Sequence, residues 1–162
     1  MAGTTLKIGM ADLKVSKAPD LLTTLGLGSC VGITLYDKQT KVVGMAHIML
    51  PSSKEIKNND NKAKFADTGI EELLNQMIKA GANKSNLVAK IAGGSQMFNF
   101  NTNNDTLKVG ERNVIATKEK LKEVGIKIIA EDTGGDFGRT IVIDSEDGSL
   151  QVRTIGHGEK TI

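Results

Sequence analysis

Residues 31–36 and 41–50 are runs of apolar, largely β-branched positions separated by the polar tetrad Asp37-Lys38-Gln39-Thr40, a pattern that predicts an antiparallel hairpin. Upstream, residues 5–8 and 11–15 read as short strands, followed by a loop holding Pro19. Downstream, Ile70, Leu73, Leu74, Met77 and Ile78 recur at helical spacing and Gly81 supplies a stop, which predicts a helix over 63–80. Residues 87–92 read as a buried strand. A second helix is expected over 111–124, turning Val114, Leu121 and Val124 inward and closing at Gly125. An isoleucine-rich strand follows at 127–131, and residues 139–143 and 150–154 form a hairpin about Asp147-Gly148. The sum is an α/β (α+β-like) domain in which strand pairs dominate and at least two amphipathic helices cover the sheets. The polar stretch 51–61 is expected as a surface loop, a lip beyond the second strand of the hairpin.

The hairpin brings two chemically distinctive residues into play. With its loop at 37–40, Tyr36 opposes Lys41, and the same ladder carries Cys30 opposite His47. Directly opposed Cβ atoms lie about 4.5–5.5 Å apart, within reach of a thiol to imidazole hydrogen bond. A one-residue bulge breaks this argument by sending the two to opposite faces. Cys30 ends the glycine-rich run Leu25-Gly26-Leu27-Gly28-Ser29-Cys30. Glycines there free backbone N–H groups to converge on one point, as stabilising an oxyanion requires. Nucleophile, base and donor turn together point to a cysteine hydrolase. Thr23, Thr24, Asp132 and Asp136 are all candidates for a third group that orients the imidazole, and spacing does not choose among them. The plainer readings are a small buried cysteine, a core histidine at 47 and a solvated loop histidine at 157.

Other chemistries fare poorly. One cysteine and two distant histidines offer no paired ligand spacing for a metal. Gly26-x-Gly28 has Val31 where a third phosphate-loop glycine belongs, and no Gly-Lys-Ser/Thr follows. The formal charge of +2 comes from interspersed residues, and aromatics are only 3% of the chain, which argues against nucleic-acid binding. No apolar run approaches membrane-spanning length. At 162 residues the expectation is one domain, 1–162, in a soluble, cytoplasmic protein without membrane insertion.

The segments Thr24-Leu25-Gly26-Leu27-Gly28-Ser29-Cys30-Val31, Ala46-His47-Ile48-Met49-Leu50-Pro51, Lys64-Phe65-Ala66-Asp67-Thr68, Ala92-Gly93-Gly94-Ser95-Gln96-Met97-Phe98 and Ala130-Glu131-Asp132-Thr133-Gly134-Gly135 together resemble the CheD family of chemoreceptor glutamine deamidases. The resemblance covers nearly the whole chain. It implies that Cys30, His47 and Thr24 are catalytic, and that the activity is that of a protein-glutamine glutaminase converting receptor glutamines to glutamates without a cofactor, contributing to chemotactic adaptation. It further implies a layered sandwich of mostly antiparallel sheet similar to bacterial toxin deamidase domains. The partners implied are methyl-accepting chemotaxis receptors, as substrate, and the CheC phosphatase. On this reading the backbone at Gly28 and Ser29 holds the oxyanion, while Met97 and Phe98 are expected contacts for a receptor helix. The alternatives are a binding module that mainly engages and regulates the phosphatase, and a cysteine hydrolase of small amides or esters.

Overall fold

The computed structural model describes residues 3–96 and 108–162; Met97 and Phe98 lie outside the described residues. Among these are ten strands in two five-stranded sheets, and two α-helices. One sheet has the order β2 (Asp12–Lys17), β5 (Val42–Ile48), β4 (Val31–Asp37), β6 (Leu87–Gly93), β7 (Lys127–Thr133). The other runs β1 (Thr5–Lys7), β3 (Leu21–Leu27), β8 (Arg139–Asp144), β9 (Leu150–Thr154), β10 (Gly158–Thr161). Pairing is antiparallel except for β1 with β3 and β6 with β7. This mixed α+β sandwich accords with the layered fold expected from the sequence.

The central strands β4 and β5 are buried along their whole lengths, because each face meets a different layer. A Cβ placed on Gly44 would lie 2.8 Å from Leu73 of α1 (Ala66–Lys79), whereas one on Gly32 would lie 2.6 Å from Ile141 of β8. Helices α1 and α2 (Val109–Glu123) therefore cover one face, and the second sheet covers the other. Continuous apolar runs, rather than strict alternation, are what a doubly covered strand requires. The inward stripe of α1 comprises Ile70, Leu73, Leu74 and Met77; Ile78 is exposed.

Two expectations are corrected. The β4–β5 ladder pairs Asp37 with Val42 and Gly32 with His47, so the loop is 38–41 and Cys30 is a diagonal, not a direct, neighbour of His47. The cause is Asp37, whose fully buried carboxylate accepts the amides of Gln39, Thr40 and Asn83. It closes the strand instead of opening the loop, and Lys41 takes the left-handed conformation at φ 61° that completes the turn. Residues 21–27, which the hydrophobic pattern does not mark out as a strand, form β3. The 51–61 stretch is pinned to α1 through Asp67, which accepts both the amide and hydroxyl of Ser53.

Candidate active site

Three elements converge between the sheets. Antiparallel partners share a face, so pairing with Gly32 puts His47 on the side of β5 that meets the second sheet. There Thr24, a fully buried residue of β3, places its Oγ1 2.7 Å from His47 Nδ1 and 2.7 Å from the carbonyl oxygen of Ile8. A hydroxyl has one proton and a carbonyl only accepts. Thr24 therefore donates to Ile8 and accepts from a protonated Nδ1, and Nε2 is left with a bare lone pair. That nitrogen is buried and makes no hydrogen bond among the described residues. Thr23 points the other way and donates to the Ile141 carbonyl at 2.8 Å. Between Thr24 and Leu27 the β3–β8 ladder shifts register about Gly26, at φ 69°. This bulge turns the chain out of one sheet toward the other and delivers Cys30 to the start of β4.

Cys30 is 8% exposed and packs in the apolar layer between the sheets, as His47 does at 1%. Diagonal neighbours across a strand pair have Cα atoms about 7–8 Å apart. Among the described residues the thiol makes no hydrogen bond to His47. Burial pushes the Cys30 thiol up and the His47 imidazole down from their ordinary values. The resting pair is thus thiol and neutral imidazole. An unperturbed cysteine is only a few per cent thiolate at neutral pH, and burial makes this one less so.

The loop carrying Cys30 is held carbonyl by carbonyl. Gly28 O accepts from Ser95 N and Cys30 O from Gly94 N, both at 2.8 Å, and Ser29 O accepts from Asn113 Nδ2 at 2.9 Å. Gly28 N–H donates to Gly26 O at 3.1 Å. Among the described residues, the Ser29 and Cys30 N–H groups make no hydrogen bond to another residue's backbone, the Cys30 amide facing its own thiol, so the candidate donors are at Ser29 and Cys30, whereas Gly28 N–H is taken by Gly26. Glycine is required at position 93, where a Cβ would sit 2.3 Å from Cys30 O. Beside this loop a cleft of about 310 Å³ is lined by Gly94, Gln96, Glu111, Val114, Ile115 and Thr133 with Gly134 and Gly135.

Neither carboxylate considered alongside Thr24 is bonded to the imidazole among the described residues. Asp132 pairs with buried Arg139 at 3.0 Å and with Lys160 at 2.9 Å, which together with hydrogen bonding hold it below the usual carboxylate range against the cost of burial. Asp136 is exposed. His157 stacks on Phe137 with ring centroids 4.4 Å apart. Among the described residues no three His, Cys, Asp or Glu side chains gather as metal ligands, and no helix is long and apolar enough to cross a membrane. Asn113 was missed from sequence. Its signal was a semi-polar stripe in α2, Gly110, Asn113, Thr117 and Leu121, all buried.

The opposed shifts at His47 and Cys30 fix the sign of a stability profile. As pH falls through about 6.5 the unfolded chain takes up the His47 proton before the native fold does, so stability is lost on the acid side. Above about 8.5 the unfolded chain releases the Cys30 proton first, and stability is lost on the alkaline side. Melting temperatures measured against pH should therefore fall less steeply below 6.5 (about) in His47→Gln and less steeply above 8.5 (about) in Cys30→Ala than in wild type. Curves of unchanged shape in both variants would contradict the burial argument.

A family model described as CheD chemotactic sensory transduction matches residues 49–154, a span beginning just after His47. Full-length relatives extend across the site. The chain is 61% identical over 162 residues, all of both chains, to a protein of Caldanaerobacter subterraneus subsp. tengcongensis named probable chemoreceptor glutamine deamidase CheD. It is 49% identical over 158 residues, 97% of this chain and 95% of the other, to the chemoreceptor glutamine deamidase CheD of Bacillus subtilis. In fold it is similar to Neisseria meningitidis protein NMB0706, of the family DUF152, with a TM-score of 0.51 at 10% identity. That alignment covers 83% of this chain, which spans 65% of the other's length.

Proposed function

The chain belongs to the CheD family, and from that premise we propose that it is a protein-glutamine glutaminase, deamidating glutamine side chains of chemotaxis receptors through a cysteine thioester. The observation that carries the reading is the His47 ring: Thr24 fixes its Nδ1–H, and its Nε2 lone pair lies unpartnered on the face from which Cys30 projects. Reach is completed as substrate enters, since hydrogen bonds that are long in a free enzyme tighten in the reacting complex.

Nε2 takes the Sγ proton as sulfur bonds to the glutamine Cδ, and the carbonyl electron pair moves onto oxygen. The Ser29 and Cys30 amides stabilise that charge. Collapse breaks the C–N bond, and the nitrogen takes the imidazolium proton and departs as ammonia. Neutral Nε2 then takes a proton from water as its oxygen attacks the thioester. The second collapse releases the thiolate, which recovers the proton from His47, and leaves glutamate. No step needs a cofactor. The new charge alters how receptor helices pack, which is the adaptation signal. The chain acts as one domain in the cytoplasm, with the receptor as substrate and the CheC phosphatase as regulatory partner.

Incubation with glutamine-bearing receptor should produce a mass gain of about one dalton per converted side chain, amide to acid, localised by peptide mass spectrometry. Free glutamine and short esters should not turn over. Conversion of small amides with none of receptor would instead identify a small-molecule hydrolase.

A further inference from the structure

We propose that Asn113 is a positioning residue that aims the backbone donors of the oxyanion site; this rests on the thioester reading above. Asn113 is fully buried, and its Nδ2 donates to two carbonyl oxygens, Ser29 O and Met49 O, each at 2.9 Å. The two hydrogens of one amide nitrogen thus join the residue before the nucleophile to the chain just beyond His47. The orientation of the amide is fixed by its partners, since a carbonyl cannot donate to Oδ1; Oδ1 itself is buried without a hydrogen bond among the described residues.

The consequence follows from peptide geometry. In a planar trans peptide the C=O and the following N–H point in opposite directions. Holding Ser29 O toward α2 therefore turns the Cys30 N–H away from α2. The neighbouring peptide is set the same way, because Ser95 N holds Gly28 O at 2.8 Å and so directs the Ser29 N–H. Of these two clamps only Asn113 is a side chain. Its seat is rigid: a Cβ on Gly110, one turn earlier, would lie 2.3 Å from Ser95 O, so α2 packs directly on the loop that supplies the other clamp.

The test compares wild type with Asn113→Ala and Asn113→Ser in two reactions of the same thiol. Loss of one oxyanion donor costs roughly 10²–10³ in kcat, so receptor deamidation should fall by about 10²-fold or more in Asn113→Ala with KM within about threefold. Serine, which can donate to one carbonyl, should restore part of that loss. Alkylation of Cys30 by iodoacetamide attacks a saturated carbon and builds no oxyanion, so its rate should stay within about threefold of wild type. Unchanged kcat, alkylation falling in step with kcat, or loss of a cooperative melt in both variants would each overturn the assignment. A wild-type protein that alkylates but converts no receptor glutamine defeats the thioester reading itself, and takes this proposal with it through that premise.

Discussion

Replacing Cys30 with alanine should abolish receptor deamidation, with kcat falling by at least about 10⁴-fold, because removing the proposed covalent nucleophile leaves only binding and electrostatic stabilisation. The fold should survive. Cys30 lies just before β4, its carbonyl is held by Gly94, and its thiol is bonded only by its own backbone amide among the described residues, so the substitution leaves a small void and costs about 1 kcal/mol. Serine is the sharper variant. It nearly preserves shape but replaces the thiol with a hydroxyl far harder to deprotonate, and His47, held neutral by burial, does not compensate for that difference. Both variants should therefore melt close to wild type while giving no mass gain on receptor peptides. Equal gains with wild type and Cys30→Ala would remove Cys30 from the reaction.

What the chain made legible depended on whether an element's partners were local. β4, β5, β6 and both helices announce themselves through apolar runs or helical spacing. β10 does not, because Gly158–Thr161 is exposed throughout and carries no apolar alternation. β3 was obscured by Gly26 and by paired threonines, which read equally as a turn. The choice between those threonines was undecidable from sequence: adjacent strand residues face opposite ways, and only the partner sheet determines that Thr24, not Thr23, meets the imidazole. The hairpin register differs from the polarity pattern at one residue. Polarity places Asp37 in the loop, but its buried carboxylate organises the turn from inside the strand end. Moving the loop by one residue changes pairing by two positions and so conserves facing. Cys30 and His47 remain on one face at a diagonal. Asn113 had no legible role because both its partners are backbone carbonyls, invisible in any residue pattern.

The second large effect is expected at His47. Truncation to alanine removes the proposed base for both attack and hydrolysis, and kcat should fall by about 10³-fold or more, since proton transfer contributes roughly 10²–10⁴ in each such step. The competing reading, a core histidine satisfied by Thr24, predicts damage to the fold instead, and the magnitudes separate the two. Losing one buried hydrogen bond and the whole imidazole ring costs about 2–4 kcal/mol, a lowered melting temperature but an intact cooperative transition. Thr24→Val provides the graded comparison. It preserves the β-branched shape but withdraws the acceptor for Nδ1–H, freeing the ring to adopt the tautomer that puts a proton, not a lone pair, on Nε2. Its kcat should fall by about 10–10²-fold, less than His47→Ala, because the imidazole is still present. In wild type, kcat/KM should decline on the acid side only below about 6.5, since burial keeps the ring unprotonated down to that value and beyond. Measured kinetics in which Thr24→Val matches wild type would show that the hydroxyl only packs, and the neutral, Nδ1-protonated imidazole would lose its functional meaning.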